Sequence, residues 1–358
     1  MPDHAFYQQI IEQSLSGTAL SRQQAVRILT DPQIELLPLL DAAYQIRRRF
    51  YGQDVLIHIL NNVQNGACPE DCKYCAQSRD ADSPIEDYPL KSDAEILDEA
   101  RQAFEQGAFR YCMVFAGRRP SFKRIEHLAG LVRTIKQRFP IQVCVSAGIL
   151  DEPSARVLKE AGLDRVNHNL NTSQRFYPQI CSTHSYEDRV RTLEVAQSNG
   201  LQICSGLIVG MGEGPEDIVE VAQTLRERAA DSIPVNFFIP IDGVPLKSAS
   251  PLTPEYCLRV LCLFRFMNPQ ADIRVAAGRE LHLRDLEVMA LYPANSLFLS
   301  GYLNAEGAPA VKTLRMIQDA GFTIRSEKNI DDLLAAAAPA QPAGCGAVTL
   351  KRRGGAAD

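Results

Sequence analysis

The sequence predicts an α/β chain whose main body is a closed (β/α)8 barrel of the TIM type. A helical extension precedes it and a flexible tail follows. Strand-like apolar segments occur at eight positions, near residues 57, 112, 144, 167, 204, 236, 274 and 298. Each is followed by a segment of helical period or by a loop leading to one. Eight consecutive β/α units imply parallel strands with right-handed crossovers, and a closed barrel is the most economical arrangement of them. A doubly wound open sheet is the alternative. It would carry a phosphate loop after its first strand, and NNVQNGACPED is not one.

Taken in order, residues 1–52 read as helix. Ser21 with Gln24 three residues later forms a capping box, and the segment IELLPLLDAAYQIRRRFYG stops at Gly52. The barrel is assigned to residues 53–334. VLIHILNNV is its first strand, followed by a cysteine-rich loop over 64–89 and a helix ending at Gly107. Strands FRYCMVFAG, IQVCVSAGI, LDRVNHNLN, LQICSGLIVG, SIPVNFFIPI, DIRVAAGRE and NSLFLS then alternate with helices. The last of those helices is PAVKTLRMIQDAG. Residues 335–358, rich in Ala, Gly and Pro, read as a flexible tail, with Cys345 inside it.

Composition narrows the function. Hydrophobic residues make up 46% and charged residues 23% of 358, an ordinary globular balance. The net charge of −5, without a basic stripe, argues against nucleic-acid or anionic-membrane binding. No apolar run reaches the ~20 residues that span a bilayer. MPDHAFYQQIIEQ lacks the basic start and apolar run of a secretory signal, so the expectation is cytoplasmic. Ten cysteines are then unexpected as disulfides, and metal or redox chemistry becomes the leading use for some of them.

GACPEDCKYCAQS places Cys68, Cys72 and Cys75 in a C-x3-C-x2-C arrangement. Three thiolates on a short loop suit zinc, copper(I) or an iron–sulfur cluster. A closed zinc site wants four ligands, and no fourth cysteine or histidine lies at short spacing, which suits a cubane with one iron left open. Cys112, Cys144 and Cys204 each fall inside a strand segment. If all three point inward they converge on one interior region, and Arg274 from a seventh strand joins them. Arginine is rarely buried unpaired, so the four together argue for a second cluster. Inward cysteines acting as small hydrophobes are the plain alternative. In LDRVNHNLNTS, Asn167, Asn169 and Asn171 share one strand face by period two, with His168 and Leu170 on the other. Three inward amides favour a polar ligand, and a turn-forming asparagine cluster is the alternative.

On these motifs the sequence resembles the radical S-adenosylmethionine superfamily. Within it, over about residues 45–325, it is similar to the biotin synthase family. The segments that carry the resemblance include GACPEDCKYCAQS, YCMVFAGRRP, NHNLNTS, CSGLIVGMGE, ADSIPVNFFIPIDGVPL and AAGRE. The resemblance implies a [4Fe–4S] cluster on Cys68, Cys72 and Cys75, with Tyr74 beside it, and a [2Fe–2S] cluster on Cys112, Cys144, Cys204 and Arg274. It implies S-adenosylmethionine contacts at Tyr74, Asn169, Asn171 and Ile208, and dethiobiotin contacts at Asn167, Asn169 and Asn236. Some members carry Asp where this chain has Asn171. Gly206, Ile208, Gly210 and Glu213 match a G-x-I-x-G-x-x-E segment of the superfamily.

The activity implied is radical sulfur insertion between C6 and C9 of dethiobiotin. It needs no acid–base pair and draws electrons from a donor such as flavodoxin or ferredoxin. Iron–sulfur assembly proteins and a second copy of the chain are the implied partners. Cys181, Cys257 and Cys262 read as structural, and His58, His127, His184 and His282 as ordinary surface or core residues. Three other readings remain at this point: another radical S-adenosylmethionine enzyme, a zinc scaffold, and an iron–sulfur donor to a partner.

Overall fold

A computed structural model describes residues 4–247 and 251–337. Three helices open the chain: α1 (His4–Ser16), α2 (Arg22–Thr30) and α3 (Leu36–Tyr51). The capping box of α2 is formed. Gln24 N donates to Ser21 Oγ at 3.2 Å, and Ser21 N donates to Gln24 Oε1 at 2.9 Å. Gly52, at φ 57°, stops α3. These helices bury Ile10, Ile28, Leu39 and Ile46 in the same core as the barrel helices, and α1 is tied down by Ser14 Oγ donating to Phe266 O at 3.0 Å.

The barrel strands are β1 (Asp54–Gln64), β2 (Arg110–Phe115), β3 (Gln142–Ser146), β4 (Arg165–Asn167), β5 (Gln202–Cys204), β6 (Leu207–Val209), β7 (Ser232–Phe237), β8 (Asp272–Val275) and β9 (Ser296–Phe298). All pair in parallel, and β9 returns to β1 at Leu56↔Ser296, which closes the barrel. The eight expected strand positions are therefore present, with the fifth broken into β5 and β6. The break has a steric cause: a Cβ on Gly206 would lie 1.9 Å from Pro234 O, so only glycine lets the chain pass that close to β7.

Helices α4 (Asp93–Glu105), α5 (Phe122–Arg138), α6 (Glu152–Glu160), α7 (Tyr186–Ser198), α8 (Pro215–Glu227), α9 (Pro254–Met267) and α10 (Arg279–Leu283) cover the barrel. Ser or Asp side chains cap α4 to α7, which explains their sharp starts. The helix expected over LRDLEVMALYPA is present, with Arg284–Leu291 in 3-10 form. After β9 a short hairpin, β10 (Gly301–Tyr302) and β11 (Ala305–Glu306), folds toward the barrel mouth. Helix α11 (Ala310–Asp319) leads to β12 (Thr323–Ile324), which adds to β1 outside the ring at Asp54↔Thr323. A final helix, α12 (Ile330–Ala337), keeps residues 335–337 ordered where a flexible tail was expected. The remainder of that tail, with Cys345, lies outside the described residues. Among the described residues no helix is long and apolar enough to cross a membrane.

Candidate active site

Three connected cavities run from the C-terminal ends of the strands into the barrel, the end of this fold where ligands bind. The outer one, about 180 Å3, is lined by Cys68, Cys72 and Cys75. Backbone bonds hold their loop: Cys75 N to Cys72 O at 3.1 Å, Ser78 N to Cys75 O at 3.1 Å and Arg79 N to Glu70 O at 3.0 Å. Asp71 pins the loop to the segment before α7 by accepting from Ser182 N at 2.9 Å and Thr183 N at 3.1 Å. Burial pushes the Cys75 thiol up to about 11, and it also raises Cys68. The Cys72 thiol donates to Cys181 Sγ at 3.8 Å, which raises Cys72 and lowers Cys181. Buried thiols of this kind ionise when a metal replaces the proton. The triad is a soft donor set three ligands strong, and it fits a cluster with one open coordination position.

The central cavity, about 230 Å3, joins the outer one along Cys75, Gln77, Val114, Ser146 and Arg189. Tyr74, Asn167, Asn169, Asn171, Ile208 and Asn236 all line it. The three asparagines do converge, but strand alternation is not the reason. Strand β4 stops at Asn167, and Asn171 turns into the cavity at φ 69°, a left-handed conformation asparagine tolerates. His168, expected on the opposite face, lines the same cavity. Asn171 Nδ2 donates to Tyr74 OH at 2.5 Å, and Asn169 Oδ1 accepts from Gly206 N at 3.1 Å. Asn236 spans two elements: Nδ2 donates to Leu207 O at 2.9 Å and Oδ1 accepts from Ala277 N at 3.2 Å. Glu213 closes the glycine-rich turn by accepting from Gly210 N at 2.7 Å and Met211 N at 2.8 Å.

The inner cavity is bounded by Cys112, Cys144, Cys204 and Arg274. Register places Cys112 directly beside Cys144, and all three thiols are buried in one cluster. Mutual hydrogen bonding lifts Cys144 to about 12 and raises Cys204, while Cys112, helped by Arg274, is lowered. Arg274 Nη1 approaches Cys204 Sγ at 3.8 Å, and its Nε is buried without a partner in the protein. Three soft donors facing an arginine with an unmatched donor fit a thiolate-held iron–sulfur group.

Several residues at the site escaped the sequence reading. Arg189 lines both outer cavities, donating to Asn169 O at 2.8 Å and to Tyr177 OH, with no carboxylate partner among the described residues. Its signal was present: Tyr186, Arg189, Leu193 and Ala196 form the buried stripe of α7, so an arginine sits where an apolar residue belongs. Cys181, Cys72 and His184 bring ligand atoms within 4.8 Å of one another. Both nitrogens of His184 are already engaged, Nδ1 by Glu70 and Nε2 by Arg189 at 2.7 Å. His58 is a buried core residue, as expected, and it lies 3.5 Å from Arg274 Nη2 at the base of the cage.

Residues 64–225 match the Radical SAM superfamily and residues 234–323 the Biotin and Thiamin Synthesis associated domain. A biotin synthase of Magnetococcus marinus is 58% identical over 313 residues, 87% of this chain and 98% of that protein. A biotin synthase of Acaryochloris marina is 51% identical over 322 residues, 90% and 93% of the two chains. The solved structure of methylornithine synthase superposes with a TM-score of 0.75 at 20% identity, over 91% of this chain and 99% of that one, a likeness of fold alone. With the barrel, the thiol triad and identity this high over nearly the whole of both relatives, the chain belongs to the biotin synthase family.

Proposed function

We propose that this chain makes biotin by inserting one sulfur atom between C6 and C9 of dethiobiotin, using S-adenosylmethionine. The observation that supports this best is the order of the three cavities. A thiol triad lies at the mouth, an amide-lined chamber in the middle, and a thiol–arginine cage inside. A [4Fe–4S] cluster on Cys68, Cys72 and Cys75, when bound, supplies the electron that cleaves S-adenosylmethionine. Arg189 offers the buried cation for the methionine carboxylate, and Tyr74, Asn169, Asn171 and Ile208 surround the rest of that molecule. Asn167, Asn169 and Asn236 present amides to the ureido ring of dethiobiotin, a group with both donors and acceptors. Cys112, Cys144, Cys204 and Arg274 hold a [2Fe–2S] cluster, which is the sulfur source and is consumed as a substrate.

Placing the reacting carbons inside the barrel, between the thiol triad and the cage, limits their contact with solvent. No paired carboxylates or catalytic histidine are needed for hydrogen abstraction and sulfur capture. The reading includes a one-electron donor such as flavodoxin or ferredoxin, assembly proteins that load the clusters, a homodimer and a cytoplasmic setting. Anaerobic reconstitution, iron and sulfide analysis and a dethiobiotin turnover assay test it together. Iron and sulfide with biotin formation is the expected result. Zinc without iron, or S-adenosylmethionine cleavage indifferent to dethiobiotin, overturns it.

A further inference from the structure

Beneath the cage lies a second inward layer, two residues earlier on each strand and so on the same face. Arg110 precedes Cys112, Arg165 precedes Asn167, and Asp272 precedes Arg274, while β1 contributes His58. One carboxylate serves this whole layer. Asp272 Oδ2 lies 3.4 Å from Arg110 Nη1, 3.5 Å from Arg165 Nη1, 3.4 Å from Arg274 Nη2 and 3.5 Å from His58 Nε2. Ser232 Oγ donates to the same oxygen at 3.0 Å and also accepts from Arg274 Nη2 at 2.7 Å. Ser296 Oγ donates to Oδ1. Among the described residues no other carboxylate forms an ion pair with any of these three arginines, and all three are buried.

The distances exceed the 2.7–2.9 Å of a charge-assisted bond, so the carboxylate is shared rather than clamped to one partner. Three guanidinium groups against one carboxylate leave two positive charges in excess, and an imidazole adds no negative charge. An uncompensated buried ion is strongly disfavoured. The groups directly above that can supply the missing negative charge are the sulfurs of Cys112, Cys144 and Cys204. Two thiolates offset the excess and a third overshoots it by one charge, so the floor favours an anionic group in the cage.

We propose that Asp272 and Arg165 form a charge-setting floor for the cage. Asp272 is the positioning residue that fixes Arg274 through a shared carboxylate, and the surplus positive charge favours an anionic cluster and raises its reduction potential. The inference rests on the reading of the cage as a [2Fe–2S] site. Its logic is electrostatic: an added electron makes the cluster more negative, and nearby fixed cations stabilise that state.

The test reconstitutes the full chain anaerobically as wild type, Arg165→Gln, Asp272→Asn and the double variant. Mössbauer spectra give the occupancy of each cluster, and spectroelectrochemistry gives the midpoint potential of the [2Fe–2S] signal. Arg165→Gln removes a positive charge and is expected to shift the potential negative. Asp272→Asn removes a negative charge and is expected to shift it positive. The double variant restores the net charge and is expected to fall between the two. Unmoved potentials, or shifts of the same sign, overturn the floor while leaving the cage reading intact. If Asp272→Asn does not fold, Arg165→Gln alone decides, and an unmoved potential there overturns the proposal. A wild type that takes up [4Fe–4S] but shows no [2Fe–2S] signal overturns both readings.

Discussion

Cys204 meets more of the inner cavity than any single neighbour explains: Asn167 Nδ2 donates to its Sγ at 3.2 Å and Arg274 approaches from another strand. It borders the inner cavity and neither of the outer two. Cys204→Ala is therefore expected to abolish the [2Fe–2S] signal and biotin formation while the [4Fe–4S] signal persists, as read by Mössbauer spectroscopy. Full occupancy of both clusters would remove Cys204 from the ligand set. Asn236 carries a double load, because both ends of its amide already bond backbone. Asn236→Ala strands two buried groups at about 1–3 kcal/mol each, so melting temperature falls along with dethiobiotin affinity. Calorimetry showing unchanged affinity in the destabilised variant would make the residue purely structural. Single-residue placements were legible where the residue pattern is uncommon, as with the cysteine triad and Arg274, which line the cavities. They were illegible where an ordinary residue type is repurposed by burial, as with Arg189, His184 and Cys181.

Elements were legible by their periodicity, and they departed from it where backbone meets backbone. The segment LQICSGLIVG reads as one strand, yet β5 and β6 are separate because Gly206 passes against Pro234 O. That contact also organises the site: Gly206 O accepts from Asn171 N at 2.9 Å, and Gly206 N donates to Asn169 Oδ1. Apolar patterning cannot report it, since the constraint lies in main-chain atoms. Gly206→Ala is expected to push β6 away from β7 at an overpacking cost of about 1–3 kcal/mol. The displacement carries Ile208 and Asn171 with it. Thermal melts should show the loss, and equilibrium dialysis should show weaker S-adenosylmethionine binding. A melting temperature equal to wild type would mean that the barrel yields freely at this point. The asparagine cluster makes the same point: period-two counting reached the right cavity, but a left-handed turn at Asn171 delivers the third amide.

At the scale of the molecule, the barrel and its extension are joined by buried polar ties as well as apolar packing. Arg259 on α9 is the clearest case. Its Nη1 donates to Ile28 O at 2.9 Å, its Nη2 donates to Ile34 O, and Glu255 balances its charge at 2.8 Å. These carbonyls close α2 and the turn into α3, so this side chain ties that corner of the extension to α9, beside the separate tie of α1 through Ser14. None of its partners borders the three cavities. Methionine at this position keeps much of the apolar stem but leaves two buried carbonyls unpaired, at about 1–3 kcal/mol each. Arg259→Met is therefore expected to melt earlier and to be cut faster by protease within residues 1–52. Cluster absorption of the reconstituted chain should survive that first cleavage, because the strands and loops that carry the thiols keep their own bonds. If cluster absorption instead disappears at the same rate as the N-terminal helices are cut, the extension and barrel unfold as one unit and the separate extension read from the sequence is wrong.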